Sequence, residues 1–145
     1  MADTRSAVPA GGYGGRGAGV TPLQARLLER ASEAVEAARL AASGSDGRTA
    51  ANRAYYAMFF AAWALVAGTP EVGRRHQAVH AAFGERFART RRLDPRLHRW
   101  LLDAFDLRLL ADYDPLTEVE PEITGETVDQ AAEFVRMATT LLRQR

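Results

Sequence analysis

Apolar residues recur at intervals of three and four through most of the chain, the spacing that lines one face of an α-helix. Leu23, Leu27, Ala31, Ala34, Val35 and Ala38 keep it in a first segment. Thr21-Pro22-Leu23-Gln24 marks its start, with a capping Thr, a Pro at the first helical position and a Gln placed to complete a capping box. Ser43-Gly44-Ser45-Asp46-Gly47 then turns the chain. The pattern predicts a second helix from about Thr49 to Ala67, closed by Gly68 and Pro70. A third is predicted from Arg75 to Arg89, a fourth is started by Asp94-Pro95 and ended by Pro115, and a fifth spans Thr124 to Arg145. No segment alternates with a period of two, so strands are not expected. Short connections, apart from the acidic 116–125 stretch, argue for an all-α fold. The expected form is an antiparallel up-and-down bundle of four long helices and a further helix.

The second helix is apolar nearly all round. Asn52, Tyr56, Phe59, Phe60 and Trp63 fall on one side, and Ala54, Ala57, Ala61 and Ala64 on another. A helix without a wet face is expected at the centre of the fold or under a second subunit, which points to a homodimer. The polar heads Asn52 and Arg53 stand at its start, placed to reach a functional cleft. The fourth helix breaks its own pattern. Leu97, Leu101, Ala104 and Phe105 make its apolar side, and Arg108 and Asp112 fall in the middle of that side. Desolvating a charge is costly unless it is paired, and residues four apart can pair. Two readings stay open: a structural ion pair, or a site between helices where Arg108 meets a phosphate or a partner chain. In a buried pair, removing Arg108 would cost on the order of 3 kcal/mol.

At 145 residues the chain fits one folded domain, 21–145, preceded by a Gly-rich tail, 1–20, expected to be disordered. The tail's single Arg within its glycine run gives little to an RNA-binding reading. There is no cysteine, hence neither a disulfide nor a thiolate zinc site. No run approaches a membrane span and the N-terminus lacks the apolar stretch of a signal peptide, so a soluble, cytoplasmic protein is expected. Charge is unevenly placed. Residues 74–99 hold eight Arg against Glu85 and Asp94, whereas 100–133 hold Arg108 against ten acids. The cluster Arg86, Arg89, Arg91, Arg92, Arg96 and Arg99 is a candidate RNA contact, partly neutralised by Asp103 and Asp106. His76 and His80 are four apart, as two ligands of a metal would be. Two are incomplete, so neither metal nor cofactor is expected.

Asn52-Arg53-Ala54-Tyr55-Tyr56-Ala57-Met58-Phe59, His76, Phe87-Ala88-Arg89-Thr90-Arg91-Arg92-Leu93-Asp94-Pro95, Phe105-Asp106-Leu107-Arg108 and Ala111-Asp112-Tyr113-Asp114-Pro115 occur in that order. Together they resemble the HEPN domain family (higher eukaryotes and prokaryotes nucleotide-binding), over roughly Thr21 to Leu142. The resemblance implies a helical bundle, a homodimer, and a part in a bacterial two-part, toxin–antitoxin-like module acting on RNA or nucleotide. The alternative it implies is a non-catalytic interaction subunit that binds a small nucleotidyltransferase encoded nearby. Residues carried over are Arg108, Asp112 and Tyr113 as the catalytic group, and Asn52, Arg53, His76 and Arg108 as nucleotide- or RNA-binding.

One departure matters. Catalytic members of the family carry Arg, then four to six arbitrary residues, then His. Arg108 matches the Arg, but Tyr113 stands five residues on and no histidine follows it. A tyrosine is a poor proton carrier at neutral pH, so any metal-independent endoribonuclease activity is expected to be weak. Tyr113 has two readings: a side chain packed under the 116–125 loop with its hydroxyl on a backbone carbonyl, or an acceptor for adenylylation by a partner. The pairs Arg75–His80 and Arg92–His98 also fit the bare spacing, but stand outside the family's position.

Overall fold

Five α-helices carry the described residues: α1 (Pro22–Ser43), α2 (Gly47–Val66), α3 (His76–Phe83), α4 (Arg96–Tyr113) and α5 (Pro121–Arg143). The structure, a computed structural model, describes residues 19–69 and 72–144. Gly19 and Val20 apart, the expected N-terminal tail lies outside the described residues. No strand occurs among them.

Local chemistry sets the helix ends. Thr21 Oγ1 accepts from the Gln24 backbone N–H and Gln24 Oε1 accepts from the Thr21 N–H, which is the capping box read from sequence. The same Gln24 side chain donates to the Ala64 carbonyl at 3.0 Å, fastening the start of α1 to the last turns of α2. Asp46 caps α2 by accepting from the Thr49 N–H, so α2 begins at Gly47, two residues earlier than predicted. Gly47 is needed there because a Cβ would stand 2.8 Å from the Val119 carbonyl oxygen. Likewise α5 starts three residues early, with Pro121 in its first turn, and Gly125 is absorbed into the helix.

α2 is the axis of the bundle and packs against α1, α3, α4 and α5. Its alanines Ala54, Ala57, Ala61 and Ala64 are fully buried, which brings neighbouring backbones close. Tyr55 and Met58 of α2, Phe83 of α3, Leu97 and Leu101 of α4, and Phe134 of α5 are fully buried around it. Full burial of side chains this size stabilises the fold by roughly 2 kcal/mol each. α2 is central, one of the two placements expected for a helix so apolar. Asn52, Arg53, Tyr56, Phe60 and Trp63 are only half-buried and form a stripe left uncovered within one chain.

The third predicted helix is shorter than expected. α3 ends at Phe83 and continues as a π-helical turn, Gly84–Ala88. At Gly84 a Cβ would meet the His98 ring at 2.6 Å, so the absence of a side chain lets α4 lie against this turn. Beyond α4, Arg48 reaches from the first turn of α2 to the carbonyls of Ala111, Asp114 and Thr117. A guanidinium on the open carbonyls of a helix end is favourable both as donor and as charge. It fixes the end of α4 and the loop after it.

Candidate functional site

Three elements converge on one hydroxyl. Tyr55 sits in the middle of α2 with its side chain fully buried. The chain returns after α2 so that α3 lays His76 and His80, one helical turn apart, against it. Tyr55 Oη is 2.9 Å from His76 Nδ1 and 2.7 Å from His80 Nε2. Aromatic rings hold both imidazoles: His76 stacks on Phe59 with centroids 4.3 Å apart, and His80 meets Phe105 of α4 edge-on at 5.0 Å.

Burial decides the charge state of this group. It pushes the Tyr55 hydroxyl above its ordinary value. It lowers His80 to about 4, helped by the neighbouring His76 and His98. It lowers His76 as well, with the Arg108 charge adding to the effect. At neutral pH both histidines are therefore neutral and each has one nitrogen able to accept a proton.

Arg108 lies over this group from α4. Its guanidinium carbon is 5.7 Å from the Tyr55 ring centre and 5.3 Å from that of Tyr56, within cation–π range. Its Nε stands 3.2 Å from Asp112 Oδ2. That N–H is not aimed at the carboxylate, so the buried Nε has an ion-pair partner but no hydrogen bond. Among the described residues the guanidinium donates no hydrogen bond at all. The cleft above it has a volume of about 500 Å³ and is lined by Tyr56, Arg75, His76, Gln77, Phe105 and Arg108.

The residues singled out from sequence are brought together unevenly. Arg108 and His76 share the cleft. Arg53 joins it at one remove: its guanidinium carbon is 5.1 Å from the Tyr56 ring centre, and its Nε donates to Asn52 Oδ1. Asp112 pairs with Arg108, but the side chains keep 21% and 40% of their exposure, Arg108 first. The pair is thus half-wet rather than buried. Tyr113 points elsewhere and is 81% exposed, so the packed reading of this side chain is corrected. Arg75–His80 does not act as a pair, since His80 is buried on Tyr55 while Arg75 is exposed at the cleft rim. Arg92 lies over the Phe87 ring and His98 lies on Gly84, so this pair does not form either.

The arginine cluster is largely committed to its own neighbours. Arg86 donates to Thr69, Arg89 pairs with Glu85, Arg96 with Asp94, and Arg99 lies 3.8 Å from Asp103. Sequence reasoning named His80 only in an incomplete metal pair and in the Arg75–His80 spacing, and gave Tyr55 no role of its own. The four-residue spacing of His76 and His80 was a usable signal of a shared partner. Tyr55 carried none, because its position reads as core.

The helical bundle and its Arg-centred cleft define a class. The chain belongs to the HEPN domain family, whose model matches residues 24–142. A UPF0332 protein of Gloeobacter violaceus is 32% identical over 126 residues, covering 86% of this chain and all of that protein. A protein of Methanocaldococcus jannaschii named as a candidate toxin is 32% identical over 98 residues, 67% of this chain and 66% of that one. A UPF0332 protein of Thermotoga maritima is 30% identical over 106 residues, 73% and 80% of the two chains. No helix among the described residues is long and apolar enough to cross a membrane.

Proposed function

We propose that this chain is the RNA- or nucleotide-facing component of a two-part, toxin–antitoxin-like module, and that Arg108 holds a phosphate of the ligand. The carrying observation is a guanidinium fixed over two tyrosine rings at a cleft, with no hydrogen bond donated among the described residues. Arg presents a planar fork of donors that matches phosphate oxygens. Arg75 at the rim adds positive charge to the cleft, while Arg53, over the Tyr56 ring, lines a separate groove with Phe60 and Trp63. The toxin name of the archaeal relative agrees with this class of function. The half-buried stripe Asn52, Arg53, Tyr56, Phe60 and Trp63 is the face we assign to a second copy, giving a homodimer.

The test is incubation of purified protein with total tRNA in EDTA, beside Arg108→Ala. Slow cleavage that disappears in the variant supports a weak metal-independent endoribonuclease. Cleavage that survives in the variant refutes the assignment of Arg108.

A second reading rests on a different residue. Tyr113, exposed at the end of α4 and followed by an acidic loop, is reachable by a partner enzyme. No histidine follows Arg108, which favours an interaction subunit for a small nucleotidyltransferase. Co-expression with such a transferase and intact-mass measurement decides it: added nucleotide mass lost in Tyr113→Phe supports this reading, and no added mass refutes modification.

A further inference from the structure

We propose that His76 is the proton-accepting group of the Arg108 cleft, with Tyr55 and His80 behind it as positioning residues that leave its Nε2 free for the ligand. The proposal rests on the reading of the cleft as a phosphate site.

The Tyr55 hydroxyl carries one hydrogen and touches two imidazoles. It donates to one and accepts from the other. A hydroxyl donating to a ring nitrogen and a ring N–H donating to a hydroxyl have overlapping lengths. The contacts of 2.7 and 2.9 Å admit both arrangements; the one in which the hydroxyl hydrogen goes to His80 Nε2 and His76 Nδ1 carries the N–H is the one that leaves the other His76 nitrogen bare, and it is the arrangement proposed. With its hydrogen on Nδ1, neutral His76 has a bare Nε2. Ring geometry turns that nitrogen away from Tyr55, and His76 lines the cleft.

This arrangement suits proton exchange for a second reason. When Nε2 takes a proton, Nδ1–H keeps donating to Tyr55 and nothing behind it has to rearrange. The opposite tautomer would block Nε2 with a hydrogen. His80 cannot compete for the proton, because it is buried and faces His76 and His98.

The groups facing His76 set when the proton arrives. From α2 these are Tyr55 and Tyr56; from α3, His80, with Arg75 just before it; from α4, Arg108 with Asp112 beyond it. Burial first, and then the positive charge of Arg108, keeps His76 neutral in the free protein. A phosphate on Arg108 offsets that charge and brings its own, so ligand binding favours the protonated ring and draws protons from solution onto Nε2 between the free and the bound midpoints.

The experiment is imidazole and arginine Nε–H ¹H–¹⁵N correlation on uniformly ¹⁵N-labelled wild-type protein, titrated with pH and then with uridine 3′-monophosphate and inorganic phosphate. The free protein is expected to show His76 in the Nδ1–H tautomer. Ligand is expected to raise its midpoint by about one pH unit or more, with His80 unmoved. Tyr55→Phe is expected to abolish the tautomer preference. An Nε2–H tautomer, or a fixed His76 midpoint while Arg108 resonances respond to ligand, overturns the assignment of His76 alone. No response of any cleft residue to either phosphate refutes the phosphate reading itself, and the role of His76 with it.

Discussion

Lowering the pH from 7 to 5.5 is expected to destabilise the fold through His80. Its ordinary value is 6.5, and burial on Tyr55 lowers it to about 4. Between those values the unfolded chain holds a proton on this imidazole that the folded chain does not. Stability rises with pH wherever the unfolded state binds more protons. The contribution is therefore complete above the unfolded value and is lost as pH falls from there toward the folded one. For one group the loss is about 1 kcal/mol by pH 5.5 and roughly 3 kcal/mol near pH 4. His76 is shifted the same way and adds to it. The lowered carboxylates Asp46, Asp94, Asp114 and Glu133 are surface groups that titrate below this range. A window of pH 5.5 to 7.5 thus isolates the histidines. Urea denaturation followed by far-ultraviolet circular dichroism at several pH values measures the slope. His80→Gln is expected to be less stable at pH 7.5 but to lose a large part of the slope. A flat stability curve in the wild type, or an unchanged slope in the variant, would refute the buried neutral histidine.

Arg108→Ala is expected to lower stability by only about 1 kcal/mol, because the ion pair is half-exposed, and not by the cost of a fully buried pair; a thermal or urea melt measures it, and a loss near 3 kcal/mol would show that the pair is sealed. Gly84→Ala is expected to cost roughly 1–3 kcal/mol, since the new Cβ collides with the His98 ring. The double variant with His98→Ala is expected to recover most of that loss, and no recovery would place the clash elsewhere. Arg48→Met strips three carbonyls at the end of α4 of their donor and is expected to speed amide exchange across residues 114–120, at a cost of about 1–3 kcal/mol. Unchanged exchange there would show that the loop holds itself.

Helix starts were legible where a side chain announces them. Thr21, Pro22 and Gln24 act as their spacing says. Helix boundaries failed where a residue with a strong local preference is overruled by packing. Gly47 and Gly125 read as breakers, yet Gly47 opens α2 because only a glycine fits beside Val119, and Gly125 lies within α5. The π turn at Gly84 had no signature in the local spacing, and the glycine's close approach to the His98 ring involves a residue on another helix.

The site was half legible for a similar reason. Arg108 stood out because a charge interrupts an apolar face. Tyr55 did not, because a tyrosine among Tyr56, Phe59 and Phe60 satisfies the core pattern. Its role depends on where α3 is laid down, which no local spacing reports. Arg48 reads as an ordinary surface arginine until its three carbonyl partners are seen.

The central claim is that Arg108 binds phosphate in the cleft. Fluorescence anisotropy of a labelled single-stranded oligoribonucleotide tests it most directly, with wild type, Arg108→Ala and Arg89→Ala side by side. Arg89 is exposed and paired with Glu85, away from the cleft. The account expects Arg108→Ala to weaken binding at least about tenfold, in line with 1.5–3 kcal/mol for a charged hydrogen bond, and Arg89→Ala to change it less than about twofold. Equal losses in both variants, or none in Arg108→Ala, would contradict it.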